Sequence, residues 1–296
     1  MNDRIREDIL ALVGGTGQWR QWSRREFVTG SLATGFALAA QPICAQTMIK
    51  TSDQGLHAGE VRVETKQGSI PAYIAMPDKG TNFPMILVVQ EIFGVHEHIK
   101  DVCRRFAKLG YVAAAPELYY RQGDVSKMSD VKEIFGKVVN NVPDSQVMAD
   151  LDATVAYARR LGMAHASKLG ITGFCWGGRV TWLYTAHNPG VKAGVAWYGR
   201  VLGDKNANNP AHPLDVVDKI NAPVLGLYGG ADAGIPNDTV DKMRSALSAA
   251  GKKSTIHTYP DTPHAFHADY RPSFRKQQAE DGWRRATEWF KANGVA

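Results

Sequence analysis

Met85-Ile86-Leu87-Val88-Val89 is an apolar run that no polar residue interrupts. A strand with one wet face alternates apolar and polar positions, so a continuous run of this length fits a strand covered on both faces, as in a parallel sheet sandwiched by helices. The next segment of the chain obeys the same rule. Helical spacing runs from Glu97 to Leu109, Gly110 ends it, and Tyr111 to Ala115 is a second buried strand, which completes a βαβ unit.

The alternation continues to the end of the chain. Helices are expected over 145–161, 178–186, 238–249 and 276–291, and strands over 169–173, 191–197, 223–228 and 254–259. Ahead of the first buried run, 61–64 and 70–76 alternate as a hairpin turning at Gln67-Gly68. Strands and helices taking turns in this way specify an α/β fold, one domain with a mostly parallel, doubly wound sheet flanked by helices. The segment 121–143 is the least regular and is expected to cap the pocket. With 296 residues, 44% of them hydrophobic, the chain is long enough for one sizeable core.

The first 45 residues read differently. Arg24-Arg25 followed by a weakly apolar stretch from Thr29 to Ala40 resembles a twin-arginine export signal, in which the paired arginines are an address read by the export machinery. The expected division is therefore 1–45 signal, 46–56 linker and 57–296 hydrolase-like domain, with a periplasmic destination and no stable membrane insertion once the signal is removed. A net charge of +6 is spread along the chain and not gathered in a run, which argues against nucleic acid as a partner. Of three cysteines, Cys44 falls in the signal; Cys103 sits in a helical pattern and Cys175 in a tight turn, so a disulfide between them is not expected.

That turn carries the chemistry. Gly173-Phe174-Cys175-Trp176-Gly177-Gly178 follows a strand and opens a helix, the context of a nucleophile elbow with Cys where Ser is usual. The first turn of a helix favours thiolate through its partial positive charge. A triad on this fold needs an acid and then a histidine, each just past a later strand, and Asp232 and His264 occupy those places. Glu91 follows the first buried strand at the same end of the sheet; as a like charge beside the thiol it would hold Cys175 neutral until substrate disturbs the pair. Backbone N–H groups of Ile92 and Trp176 are placed to receive an oxyanion.

On Gln90-Glu91-Ile92-Phe93-Gly94-Val95, Pro116-Glu117-Leu118-Tyr119, the Cys175 elbow, Gly229-Gly230-Ala231-Asp232 and Pro263-His264-Ala265-Phe266, the sequence resembles the dienelactone hydrolase (carboxymethylenebutenolidase) family over roughly 57–292. The resemblance implies a compact α/β-hydrolase, a Cys175, Asp232 and His264 triad, control of the thiol by Glu91, and thiolate attack on an unsaturated lactone. It also implies a substrate carboxylate held by arginines. Arg121 aligns with one of these, while Ala265 and Ala268 stand where the family has Ser and the second Arg, with Arg271 or Arg275 as candidate substitutes. Half a clamp points towards neutral or larger esters and lactones.

Phe93, Trp176, Trp197, Tyr198 and Phe266 are the aromatic residues expected to line the substrate cleft, with Trp197 and Tyr198 as its wall. His96-Glu97-His98 places its two histidines on different faces of a helix, so no metal is expected, and the reaction needs no cofactor. The expected partner is a small ester or lactone, cleaved through a thioester intermediate. Two rival readings keep the same scaffold without turnover: a thiol redox or sensing site at Cys175, and a ligand-binding protein.

Overall fold

The computed structural model describes residues 48–296. The export signal and the first residues of the linker, as read from the sequence, lie outside the described residues. Within them, no helix is long and apolar enough to cross a membrane.

Eight strands form one sheet in the order β1-β2-β4-β3-β5-β6-β7-β8. β1 (Leu56–Thr65) and β2 (Gly68–Pro77) are an antiparallel hairpin, β2 also pairs antiparallel with β4 (Val112–Pro116), and all remaining pairings are parallel. β3 (Phe83–Val89) is flanked by β4 and β5 (Ala164–Phe174), followed outwards by β6 (Val191–Trp197), β7 (Val224–Gly229) and β8 (Thr255–Tyr259). The expected mostly parallel sheet is present. β1 runs longer than 61–64 because it is an edge strand with most side chains in water, which leaves no apolar alternation to read there.

Among the described residues there are six α-helices: α1 (Glu97–Lys108), α2 (Val131–Lys137), α3 (Asp144–Arg160), α4 (Trp176–His187), α5 (Asn237–Ala249) and α6 (Lys276–Ala292). The buried run Met85 to Val89 is at most 1% exposed, as two covered faces require. Segment 121–143 folds as two 3₁₀ turns around α2, whose first turn is capped by the Asp130 carboxylate accepting from Lys132 N–H at 2.8 Å.

The topology fixes where chemistry is possible. From β3 the chain goes to β4 on one side, whereas β5 lies on the other, so the carboxyl ends of β3 and β5 border the crevice where the strand order reverses. Val89 of β3 lies opposite Gly173 of β5. Glu91 and Cys175 each come two residues later, so register alone carries both to the rim of the same crevice.

Candidate active site

Cys175 has φ 57° and ψ −113°, a conformation that costs an L-residue strain and turns its side chain out of the strand-to-helix corner. Its N–H donates to Trp197 O at 3.0 Å, which ties the corner to β6. Two glycines make the corner possible. A Cβ on Gly173 would stand 2.2 Å from Gly177 O, and one on Gly177 would stand 2.5 Å from Val89 O. No side chain fits either place, so α4 can approach β3 and β5 this closely only with glycine there. Trp176 opens α4, and a first-turn N–H has no acceptor inside its own helix.

β7 and β8 deliver the other two members. Gly229 pairs with Tyr259, Asp232 comes three residues after the first and His264 five after the second. His264 Nδ1 and Asp232 Oδ2 are 2.6 Å apart, and both residues are only 6% exposed. Burial opposes a charge on His264, but the Asp232 carboxylate and the Cys175 sulfur outweigh it and raise its pKa well above the usual histidine value. The thiol and the imidazole are near enough for each to shift the other's pKa. Burial pushes the Cys175 thiol up; His264 pulls the other way, the Glu91 charge adds to the rise, and the Trp176 N–H lowers it. The leading reason for a neutral thiol is therefore desolvation, with Glu91 a smaller contributor than the sequence reading made it.

Glu91 is 2% exposed and accepts a hydrogen bond from the Tyr270 hydroxyl at 2.5 Å, with His96 Nε2 at 3.4 Å. Burial favours the neutral acid, but the bond and charge of His96, the charge of His98 and the Tyr270 hydroxyl outweigh it and hold the pKa at about 2. His96 is itself pushed down by burial. The Tyr270 hydroxyl makes the shorter of the two contacts with the Glu91 carboxylate. Tyr270 was not anticipated, and its distance along the chain from Glu91 gave no signal. The loop holding Glu91 is braced by the next motif: Glu117 Oε2 accepts from Val95 N–H at 2.8 Å, and Gln90 Oε1 from Leu118 N–H at 3.2 Å.

A cleft of about 100 Å³ opens over this arrangement, lined by Ile92, Cys175, Trp176, Tyr198, Arg200 and Ile235 among others. Phe135, Val139 and Asn140 from 121–143 also face it. Its volume is below the roughly 300–1,000 Å³ of drug-sized sites, so this conformation admits only a small molecule.

The aromatic residues separate. Tyr198 lines the cleft and stands edge-on to His264, with ring centroids 5.0 Å apart. Trp197 and Phe266 do not line it: both are at most 1% exposed, and Trp197 donates from Nε1 to Thr172 Oγ1 at 3.1 Å in the core. β6 ends at Trp197, and Tyr198, at φ 38°, leaves the strand and turns its ring to the cleft. Phe93 lies under the Arg271 guanidinium, 4.4 Å from its centre.

Arg121 is not in the cleft. Its guanidinium is bidentate on buried Asp150 at 2.7 and 3.1 Å and donates to Thr65 Oγ1 at 2.6 Å, so its charge braces α3 against the β1–β2 hairpin. The substrate contact expected of it is replaced by this structural one. Arg275 donates to Pro272 and Phe274 carbonyls. Ala268 is fully buried in the turn after His264. His98 bonds Asp269 at 3.2 Å, and among the described residues no cluster of three or more His, Cys, Asp or Glu is arranged to hold a metal. Cys103 and Cys175 are both free and buried.

Comparison with known proteins agrees with this fold. The family model described as "Dienelactone hydrolase family" matches residues 70–294. A protein of Methylorubrum extorquens, provisionally named a carboxymethylenebutenolidase, is 63% identical over 274 residues, 93% of this chain and 94% of the relative. A Bradyrhizobium protein provisionally named a 2-oxo-3-(5-oxofuran-2-ylidene)propanoate lactonase is 30% identical over 226 residues, 75% of this chain and 89% of that one. The crystal structure of a provisionally assigned dienelactone hydrolase from Klebsiella pneumoniae superposes with a TM-score of 0.78 at 53% identity, over 80% of this chain and 98% of that one. The chain belongs to the dienelactone hydrolase family of α/β-hydrolases.

Proposed function

We propose that the chain hydrolyses a carboxylic ester or lactone with Cys175 as nucleophile, through a thioester. The observation that carries this reading is Cys175 on the cleft beside a buried His264 whose Nδ1 lies 2.6 Å from Asp232 Oδ2. His264 takes the thiol proton as sulfur bonds to the carbonyl carbon, Asp232 steadies the imidazolium, and the Ile92 and Trp176 N–H groups receive the oxyanion. Collapse breaks the acyl C–O bond as His264 returns its proton to the leaving oxygen, which departs as an alcohol or, from an unsaturated lactone, as an enol. Water, deprotonated by His264, then cleaves the thioester and restores the thiol.

A thiol nucleophile suits a good leaving group, which an unsaturated lactone supplies and an amide does not. The name of the Bradyrhizobium relative, which specifies a lactone, supports that class of substrate. Export to the periplasm is part of the same proposal and is supported by Arg24-Arg25 alone. Changing both to Lys and tracing the protein in periplasmic and cytoplasmic fractions tests it; unchanged export would remove it.

Incubation with an activated aryl ester, quenching in acid and peptide mass analysis is expected to find an acyl group on the peptide carrying Cys175. Turnover without any Cys175 adduct, or turnover retained in Cys175→Ala, would overturn the thioester route. An absence of both turnover and adduct across esters and lactones would favour a sensing or ligand-binding role.

A further inference from the structure

Tyr198 combines two features that cost stability and that the triad does not explain. Its φ of 38° lies in the left-handed region, where glycine sits without strain and a tyrosine does not. Close packing fixes that turn: Tyr198 N–H donates to Leu227 O at 2.8 Å, and a Cβ on the next residue, Gly199, would stand 2.2 Å from Gly178 C at the start of α4. The packing accounts for the backbone but not for the side chain placed on it. The second feature is the hydroxyl itself. It is buried with no hydrogen-bond partner among the described residues, in a residue that is 0% exposed and lines the cleft. An unpaired buried hydroxyl destabilises the fold, and a phenylalanine in the same place would not carry that cost.

Sheet order decides which part of a substrate this side chain meets. β3, β5 and β6 lie side by side, and Ile92 follows the first, Cys175 the second and Tyr198 the third, all three lining the cleft. When a carbonyl carbon bonds to the Cys175 sulfur with its oxygen towards Ile92 N–H, the leaving oxygen must face His264, its proton donor. His264 arrives from beyond β8, on the β6 side of Cys175, and its ring centroid is 5.0 Å from that of Tyr198. Tyr198 and the proton donor are therefore neighbours. The hydroxyl is suited to donate and not to ionise, since burial first and the Glu91 charge second raise its pKa well above the usual tyrosine value.

We propose that Tyr198 is a further catalytic residue, its hydroxyl donating a hydrogen bond to the leaving oxygen of the substrate during acylation. The inference rests on the hydrolase reading above. As the acyl C–O bond breaks, its electron pair moves to the leaving oxygen; His264 delivers a proton there, and the Tyr198 hydroxyl stabilises the growing charge while keeping its own proton. The acyl group stays on sulfur, and nothing else is consumed. The substrate thus brings the acceptor that the folded chain lacks. The bond matters most where the leaving oxygen is basic and gathers charge, and least where the leaving group already disperses it.

The test measures kcat/KM for 4-nitrophenyl, phenyl and 4-methoxyphenyl acetates in wild type and Tyr198→Phe, together with urea denaturation of both proteins. Acetates keep the acyl group small enough for a cleft of about 100 Å³. Because kcat/KM ends at departure of the leaving group, it reports acylation. Tyr198→Phe should lose about 10-fold on the phenyl and 4-methoxyphenyl esters and less than about twofold on the 4-nitrophenyl ester. It should also denature at the same or a higher urea concentration than wild type, because the unpaired hydroxyl is gone. Equal loss on all three acetates, or no loss on any, would overturn the proposal while leaving the hydrolase reading intact. Denaturation of Tyr198→Phe at lower urea would overturn it too, because it would give the hydroxyl a structural partner. A wild type that turns over none of the acetates would instead strike at the hydrolase reading.

Discussion

The Tyr270 hydroxyl donates to Glu91 Oε2 at 2.5 Å, in a place where the carboxylate is almost wholly out of water. A buried anion keeps its charge only while donors compensate it. Tyr270→Phe removes one such donor and should cost about 1.5–3 kcal/mol of stability at pH 7. The folded pKa of Glu91, about 2, lies below its ordinary value of 4.5, so its ionised form adds stability above the ordinary value and loses it as pH falls towards 2. The deficit of Tyr270→Phe against wild type, read from urea denaturation, should therefore be full at pH 6 and smaller at pH 3. A deficit independent of pH would place the effect in packing.

The His264 to Asp232 contact sets a second expectation. Asp232 raises the His264 pKa against the opposing effect of burial. Asp232→Asn should lower that pKa, release the preferred imidazole orientation and reduce kcat/KM by about 100-fold or more. The acidic limb of the pH profile should move to lower pH in the variant. Burst and steady-state rates from pH 5 to 9 read both effects, and an unmoved acidic limb would detach Asp232 from the base.

Much of the fold and the triad was legible because sheet topology orders the residues. Unbroken apolar runs identified the covered strands, and the chain order of Cys175, Asp232 and His264 then had to converge at one end of the sheet. The place of Arg121 was not legible. It aligns with a clamp residue, but its direction is set by Thr65 and Asp150, which come from elements distant in sequence. Trp197 and Tyr198 separate because β6 ends between them and Tyr198 takes a positive φ, which no sequence pattern announced.

Arg121 supplies a prediction about stability. Asp150 is 2% exposed, and burial raises its pKa while Arg121 opposes the rise. Arg121→Met leaves that carboxylate unpaired and should cost about 3–5 kcal/mol at pH 7. Because removing the partner raises the folded pKa of Asp150 further above the unfolded value, the penalty grows as pH rises through the unfolded value and shrinks in acid. Denaturation midpoints at pH 7.5 and pH 4.5 should show the larger deficit at the higher pH. The KM of the folded variant for a carboxylate-bearing lactone should match wild type, and a large rise in it would return Arg121 to substrate recognition.

Thiol reactivity separates the two contributions to the resting state of Cys175. Burial is the larger cause of its raised pKa and the Glu91 charge a smaller one, so the alkylation rate by iodoacetamide should still be climbing at pH 9. Cys103 is 0% exposed with its own pKa pushed up by burial, and it should remain unlabelled in the folded protein. Glu91→Gln removes the like charge while keeping nearly the same volume, so the Cys175 thiol pKa should fall and labelling at pH 7 should speed up several-fold. The shift should be modest, because desolvation remains. Slower labelling in Glu91→Gln would mean that Glu91 favours the thiolate, and its part in the reaction would then be that of a second base beside His264.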